Sequence, residues 1–232
     1  IVPVLIAVGL IILIAVGFVG FQVLERYMPT KERADLAEVY GVSGDETAIL
    51  YNYERQEPTG IYENGQTYLP VSWINDHINE RFYWDSTENL LVYALPDQIV
   101  YADAETKGSN GAPLLVVKDD EVYLTLGLIA NYTDVQIQTF DSGDGKRVLI
   151  NDWGTRNTAR VKKAGSLRVK GGVKSKVLTD LAKDDTVTVL DTMEKWSRVA
   201  SSDGNIGYVE NKRLAAAESR KFSGNFKAPV YQ

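Results

Sequence analysis

Catalysis and metal binding need particular side chains at particular spacings, and this chain offers few of them. Its 232 residues include one histidine, His77, and no cysteine. Disulfides, thiolate metal centres and Cys–His pairs are therefore excluded within one chain. A Ser-His-Asp arrangement would have to use His77, and no partner for it stands out. His77 falls in an expected helix and reads as a surface residue. The acidic runs Asp119-Asp120-Glu121 and Asp141-Ser-Gly-Asp-Gly145 lack the spaced oxygens and terminal Glu of a calcium loop, so both read as hairpin turns. Gly171-Gly172 is not followed by Gly-Lys-Ser/Thr and is no phosphate loop. Asn131-Tyr-Thr133 fits a glycosylation acceptor, a pattern too short to carry an argument. No catalytic residue, metal site or cofactor is assigned, which leaves binding.

What would position a binding site begins with Ile1 to Phe21, a stretch free of charged side chains. About 20 helical residues cross a hydrocarbon core of about 30 Å. A core helix of a soluble domain would show a polar face, and this stretch has none. A cleaved signal peptide is the competing reading, with Ala15-Val16-Gly17 as its mimic of a cleavage site, but apolar residues continue to Leu24. Residues 1–24 are therefore expected to be a transmembrane anchor. The chain begins at Ile and reads as part of a longer one. Residues 25–47 follow as a juxtamembrane stalk in which Thr30 offers a helix cap and Ala34, Leu36, Ala37 and Tyr40 a weak apolar stripe. A solvated spacer is the favoured reading of this stalk.

Charge divides the remainder. From Glu25 to Ala159 there are 10 Lys/Arg against 23 Asp/Glu, and from Arg160 to Arg213 there are 12 against 7. An acidic module followed by a basic one suggests two domains, the second better suited to an anionic partner.

The acidic part reads as short strands interrupted by short helices. Ala48 to Tyr53 is a strand, and Gly60 to Leu69 is a hairpin about Asn64-Gly65, the pair that supplies positive φ to a type I′ turn. Pro70 opens a helix with Val71, Ile74 and Ile78 on one face. Arg81 to Trp84 and Leu90 to Ala94 close the unit. The same order recurs from Gln98 to Asn151, with Tyr68-Leu69 and Ile74 matching Tyr123-Leu124 and Ile129 at a shift of 55. Residues 48–153 are thus expected to be a two-copy ββ-α-ββ repeat, with copies at 48–96 and 98–152. Tyr68-Leu-Pro-Val-Ser-Trp-Ile74 followed by Phe82-Tyr-Trp-Asp85 resembles the copper amine oxidase N-terminal-like repeat of exported Gram-positive proteins. Thr125 and Thr139 depart from that pattern, and a single histidine cannot build a copper centre.

Residues 154–158 read as a linker, and 159–215 as an all-β small barrel of short strands. Ser166-Leu-Arg-Val-Lys-Gly-Gly172, Lys183 to Val187, Lys195-Trp-Ser-Arg-Val199 and Gly204-Asn-Ile-Gly-Tyr-Val209 resemble the bacterial SH3-type domain. That resemblance implies binding of cell-wall peptide or glycan. Arg168, Lys170, Trp196 and Tyr208 are the candidate contact residues, although the family positions of Trp196 and Tyr208 also suit packing against a barrel core. Lys174 and Lys176 read as a solvated loop, and no nucleic-acid partner is expected.

Residues 216–232 read as a linker to a further domain. The order of parts resembles the front of a membrane-anchored glycoside hydrolase family 18 protein of clostridial type, but the Asp-x-x-Asp-x-Asp-x-Glu run of that family is not in this sequence. The expected fold class is α+β. The expected role is non-catalytic, with partners in the lipid bilayer and in peptidoglycan or an anionic wall polymer. It would sit at the cell membrane as a single-pass protein with its C-terminal part outside. A wall-sensing receptor and a purely structural or oligomerising ectodomain are the alternatives.

Overall fold

The computed structural model describes residues 2–94 and 99–224. The expected boundary between repeat copies and the tail beyond Gly224 lie outside the described residues. The first element is helix α1 (Val2–Tyr27), and every described side chain from Gly9 to Tyr27 is exposed. An apolar helix with no polar face and, from Gly9 on, no buried side chain suits a membrane anchor or a signal segment.

The stalk does not behave as a solvated spacer. Thr30 N–H donates to the Val173 carbonyl (2.9 Å), Val177 N–H to Glu32 (2.8 Å) and Ala34 N–H to Val177 (2.9 Å). Arg33 pairs alongside Val177 in parallel. With residues 30–34 extended in this way, Thr30 cannot cap a helix. Asp35 does so instead, its carboxylate accepting from Ala37 N–H (2.8 Å) and Glu38 N–H (3.3 Å) at the start of α2 (Leu36–Tyr40). Gly41, at φ 62°, ends that turn. The weak apolar stripe is used: Ala34, Leu36 and Val39 pack on one core, and Tyr40 is buried in another.

Strands β1 (Glu46–Tyr51), β2 (Glu54–Glu63) and β3 (Gln66–Pro70) lead into α3 (Val71–His77). Asn64 and Gly65 take φ 52° and 74° at the expected tight turn. After α3 come β4 (Phe82–Asp85), β5 (Leu90–Ala94) and β6 (Ile99–Ala102), then β7 (Leu115–Lys118), β8 (Glu121–Thr125), α4 (Leu126–Tyr132), β9 (Val135–Phe140) and β10 (Arg147–Asp152). One sheet runs in the order β7-β8-β3-β2-β1-β10-β9, and β4-β5-β6 form a second. Strand β6 departs from the expected match with β1. It pairs antiparallel with β5, as a short connection requires, whereas β1 pairs in parallel with β10. At the junction of β3 and β8, Leu69 faces Leu124 while Tyr68 faces Thr125 and Pro70 faces Tyr123. Leu69 and Leu124, 55 residues apart, therefore sit at the centre of a local two-fold. Both halves fill one core, with Leu69, Trp73, Ile74, Phe82, Leu124, Ile129 and Ile150 all nearly inaccessible.

The second module contains β11 (Gly154–Arg160), β12 (Gly165–Arg168), β13 (Val177–Leu181), β14 (Thr186–Thr192), β15 (Trp196–Ala200), β16 (Ile206–Glu210) and β17 (Glu218–Phe222), in the sheet order β13-β12-β16-β15-β14-β11-β17. Two expectations are corrected here. Residues 154–158 are the first five residues of β11 rather than a linker, and residues 218–222 of the expected C-terminal linker form β17, paired from Gly154↔Phe222 to Thr158↔Glu218. Both strands are polar, and their stability comes from distant partners. The Arg156 guanidinium, for instance, lies 5.0 Å over the Phe222 ring and 5.6 Å over Tyr53.

The two modules meet at Arg147, which is 4% exposed. Its guanidinium donates to the carbonyls of Gly145 (3.0 Å), Asp203 (2.6 Å) and Gly204 (2.9 Å). It sits 4.8 Å from the Tyr40 ring and 5.0 Å from Phe140. Burial pushes its pKa down, while Tyr40 and then Asp203 act in the opposite direction. Gly204 (φ 72°) is required where Phe140 closes in, since a Cβ would come 2.2 Å from the ring. We expect Arg147→Ala to remove a donor from each of these carbonyls and to cost about 3 kcal/mol. Thermal denaturation should then show a melting temperature lower by roughly 6–12 °C, and an unchanged melt would contradict this account of the joint.

Candidate binding cleft

Strand alternation sorts the second module's side chains onto two faces. Leu167, Val199 and Val209 point into the core, so Arg168, Arg198, Trp196, Tyr208 and Glu210 lie on the opposite face. Register places Arg168 and Arg198 on either side of Tyr208, and Trp196 opposite Glu210. Trp196 and Tyr208 are both half-buried and neither belongs to the module's core cluster. Gly171 lets the Trp196 ring lie against the loop, because a Cβ there would come 3.2 Å from the indole Cγ.

The stalk completes the site. Pro29, Thr30 and Lys31 form one wall of a cleft of about 280 Å³, and Trp196, Arg168, Glu210 and Arg213 form the other. Arg168 is 6% exposed and donates to the carbonyls of Thr30 (3.1 Å) and Ser175 (2.6 Å). Burial pushes its pKa down, with Glu210 opposing. Arg168 thus clamps the stalk to the barrel through Nη1. Glu210 binds Lys212 through one carboxylate oxygen and Arg213 through the other, each at 2.7 Å. Burial raises the Glu210 carboxyl, but the hydrogen bonds from Lys212 and Arg213 outweigh it, and the group titrates below its ordinary 4.5.

Three of the four residues singled out from sequence therefore share one face, and two of them, Arg168 and Trp196, line the cleft. Lys170 does not. It is exposed beyond β12, its backbone N–H bonded to Ser175 Oγ (2.8 Å), beside Lys174, Lys176 and Glu38 in a second groove. Sequence reasoning missed Glu210 and Arg213, whose i, i+3 spacing was the available signal, and it missed the stalk wall, for which no signal exists. His77 is exposed and stacks on Trp73 at 4.9 Å. The cleft has a half-buried aromatic wall, a clamped carboxylate and an adjacent guanidinium. Such a surface can hold a small polar ligand by stacking and by paired charges.

The depressed Glu210 pKa carries a sign. Its contribution to stability is complete above the unfolded value and is lost as pH falls through the folded one. Urea midpoints of the native chain and Glu210→Gln, followed from about pH 6 to about pH 3, should differ at the upper end and converge at the lower. A constant difference would contradict the clamp.

No curated protein and no solved structure matches the chain. The family described as Bacterial SH3 domain matches residues 163–215, from the approach to β12 through the turn after β16. The face that carries Trp196, Tyr208, Glu210 and Arg213 thus lies within the stretch that is similar to the bacterial SH3 domain.

Proposed function

We propose that the chain is a membrane-tethered, non-catalytic binding region whose SH3 domain holds cell-wall peptide or glycan in the cleft beside Trp196. The observation that carries this reading is Trp196 itself, a large aromatic kept out of the core and set against a wall that presents both charge signs. Bacterial SH3 domains are commonly wall-binding modules, which agrees with that chemistry. Muropeptides bear carboxylates and amines, which suit Arg213 and Glu210, and sugar rings suit an indole face. The exposed apolar α1 supports tethering.

For residues 48–153 we propose the two-copy repeat acting as a rigid mount. The support is the local two-fold at Leu69 and Leu124 and the shared core. Descent from a glycoside hydrolase family 18 architecture belongs to the same proposal and rests on the order of the parts.

Retention of the detergent-solubilised chain on purified peptidoglycan tests the reading. Trp196→Ala should weaken retention by about tenfold, the equivalent of about 1.4 kcal/mol of lost stacking. The melting temperature should stay nearly unchanged, because Trp196 lies outside the core. Lys170→Ala should have a smaller effect that high salt removes. Equal retention of native chain and Trp196→Ala would exclude the cleft, and no retention at low salt would favour a purely structural role.

A further inference from the structure

The SH3 domain begins well over a hundred residues after α1 in sequence, yet it stands where α1 ends. The first charged residues of α1 are Glu25 and Arg26. Lys174, in the loop between β12 and β13, donates from Nζ to the Glu25 carbonyl (2.5 Å), and the neighbouring Val173 carbonyl accepts from Thr30 N–H. The Lys170–Lys176 loop is therefore held at the level where the apolar helix ends.

The surface around that point is basic. Arg26, Lys31, Lys170, Lys174 and Lys176 are all exposed. Lys176 pairs with Glu32 (3.3 Å) and Arg33 with Asp180, but among the described residues Arg26, Lys31, Lys170 and Lys174 have no carboxylate within ion-pairing distance. The opposing carboxylates here are Glu25, beside Lys174, and Asp35 and Glu38 at the edge of the groove. Cations held closer to a lipid surface than the Debye length of about 8–10 Å still feel much of its potential.

We infer that this loop, with Arg26 and Lys31, docks the SH3 domain on anionic phospholipid headgroups of the leaflet that α1 leaves. The inference rests on α1 being a membrane anchor. Each engaged cation adds on the order of fivefold to the preference for the surface. The docked state fixes the cleft beside Pro29 close to the membrane, so that it meets the wall from the membrane side.

Hydrogen exchange of the full chain in nanodiscs tests this. The discs are made either of phosphatidylcholine alone or of equimolar phosphatidylcholine and phosphatidylglycerol. Amides 169–176 should exchange at least about tenfold more slowly in the anionic discs, the difference expected if two or more cations engage. High salt should abolish the difference, and so should the double substitution Lys170→Gln with Lys174→Gln. Incorporation into both discs with equal exchange at 169–176 would overturn the docking while leaving the anchor intact. Failure to incorporate into either would overturn the anchor reading itself. A soluble anionic wall polymer that slows these amides in phosphatidylcholine discs, where anionic lipid has no effect, would overturn the lipid assignment in favour of the polymer.

Discussion

A buried guanidinium without a carboxylate partner is the constraint on which the arrangement of this protein depends. Removing a guanidinium from water is expensive unless each of its nitrogens finds an acceptor. Arg147 meets that condition only where β10, the Tyr40 ring, the Phe140 ring and the Asp203–Gly204 turn converge. Each belongs to a different part of the chain. Tyr40 is held as well, its hydroxyl accepting from Ile206 N–H at 3.2 Å and lying within reach of Asn205. The joint therefore specifies one relative placement of the two modules, which a plain apolar contact would do less sharply. It also explains why Ala48–Tyr51 of β1 and Val148–Ile150 of β10 are continuously apolar. Ile49, Val148 and Ile150 face the main core, while Ala48, Leu50 and Leu149 face the joint.

The second organising contact is the stalk laid along β13. That strand is the edge of its sheet, and an exposed edge is a pairing template. Residues 30–34 cover its start with two backbone hydrogen bonds at Val177 and bind the preceding loop with a third at Val173, Arg33 pairs with Asp180, and Arg168 grips the Thr30 carbonyl from the other side. The stalk thereby becomes a structural strand-like segment and a wall of the cleft at once. The order in space differs from the order in sequence, because the module encoded last is the one against the end of α1.

Much of this was legible residue by residue. Asn64-Gly65, the Val71/Ile74/Ile78 face and the short strands of the second module follow from periods and turn chemistry that act within a few residues. Strand β11 was not legible, because Thr155, Arg156 and Asn157 show no apolar alternation and gain their strand from β14 and from β17, some sixty residues away. The stalk failed for the same reason, its partners being Val173 and Val177. In the candidate site, Trp196 and Tyr208 were visible as aromatics in a basic β segment. Their exclusion from the core was not, since alternation alone does not say which face is covered.

By itself the sequence determined the local elements, the apolar character of α1, the charge asymmetry of the two modules and the lack of any thiolate or multi-histidine site. These depend on residue type and on spacings shorter than a helical turn or a hairpin. Only the tertiary structure decided that β6 leaves the sheet of β1, that Arg168 is a clamp rather than a free contact, and that the stalk walls a cleft with Glu210 and Arg213. Those outcomes depend on which distant backbone groups and charges find partners once the core has formed, and a burial cost becomes definite only when the neighbours are in place.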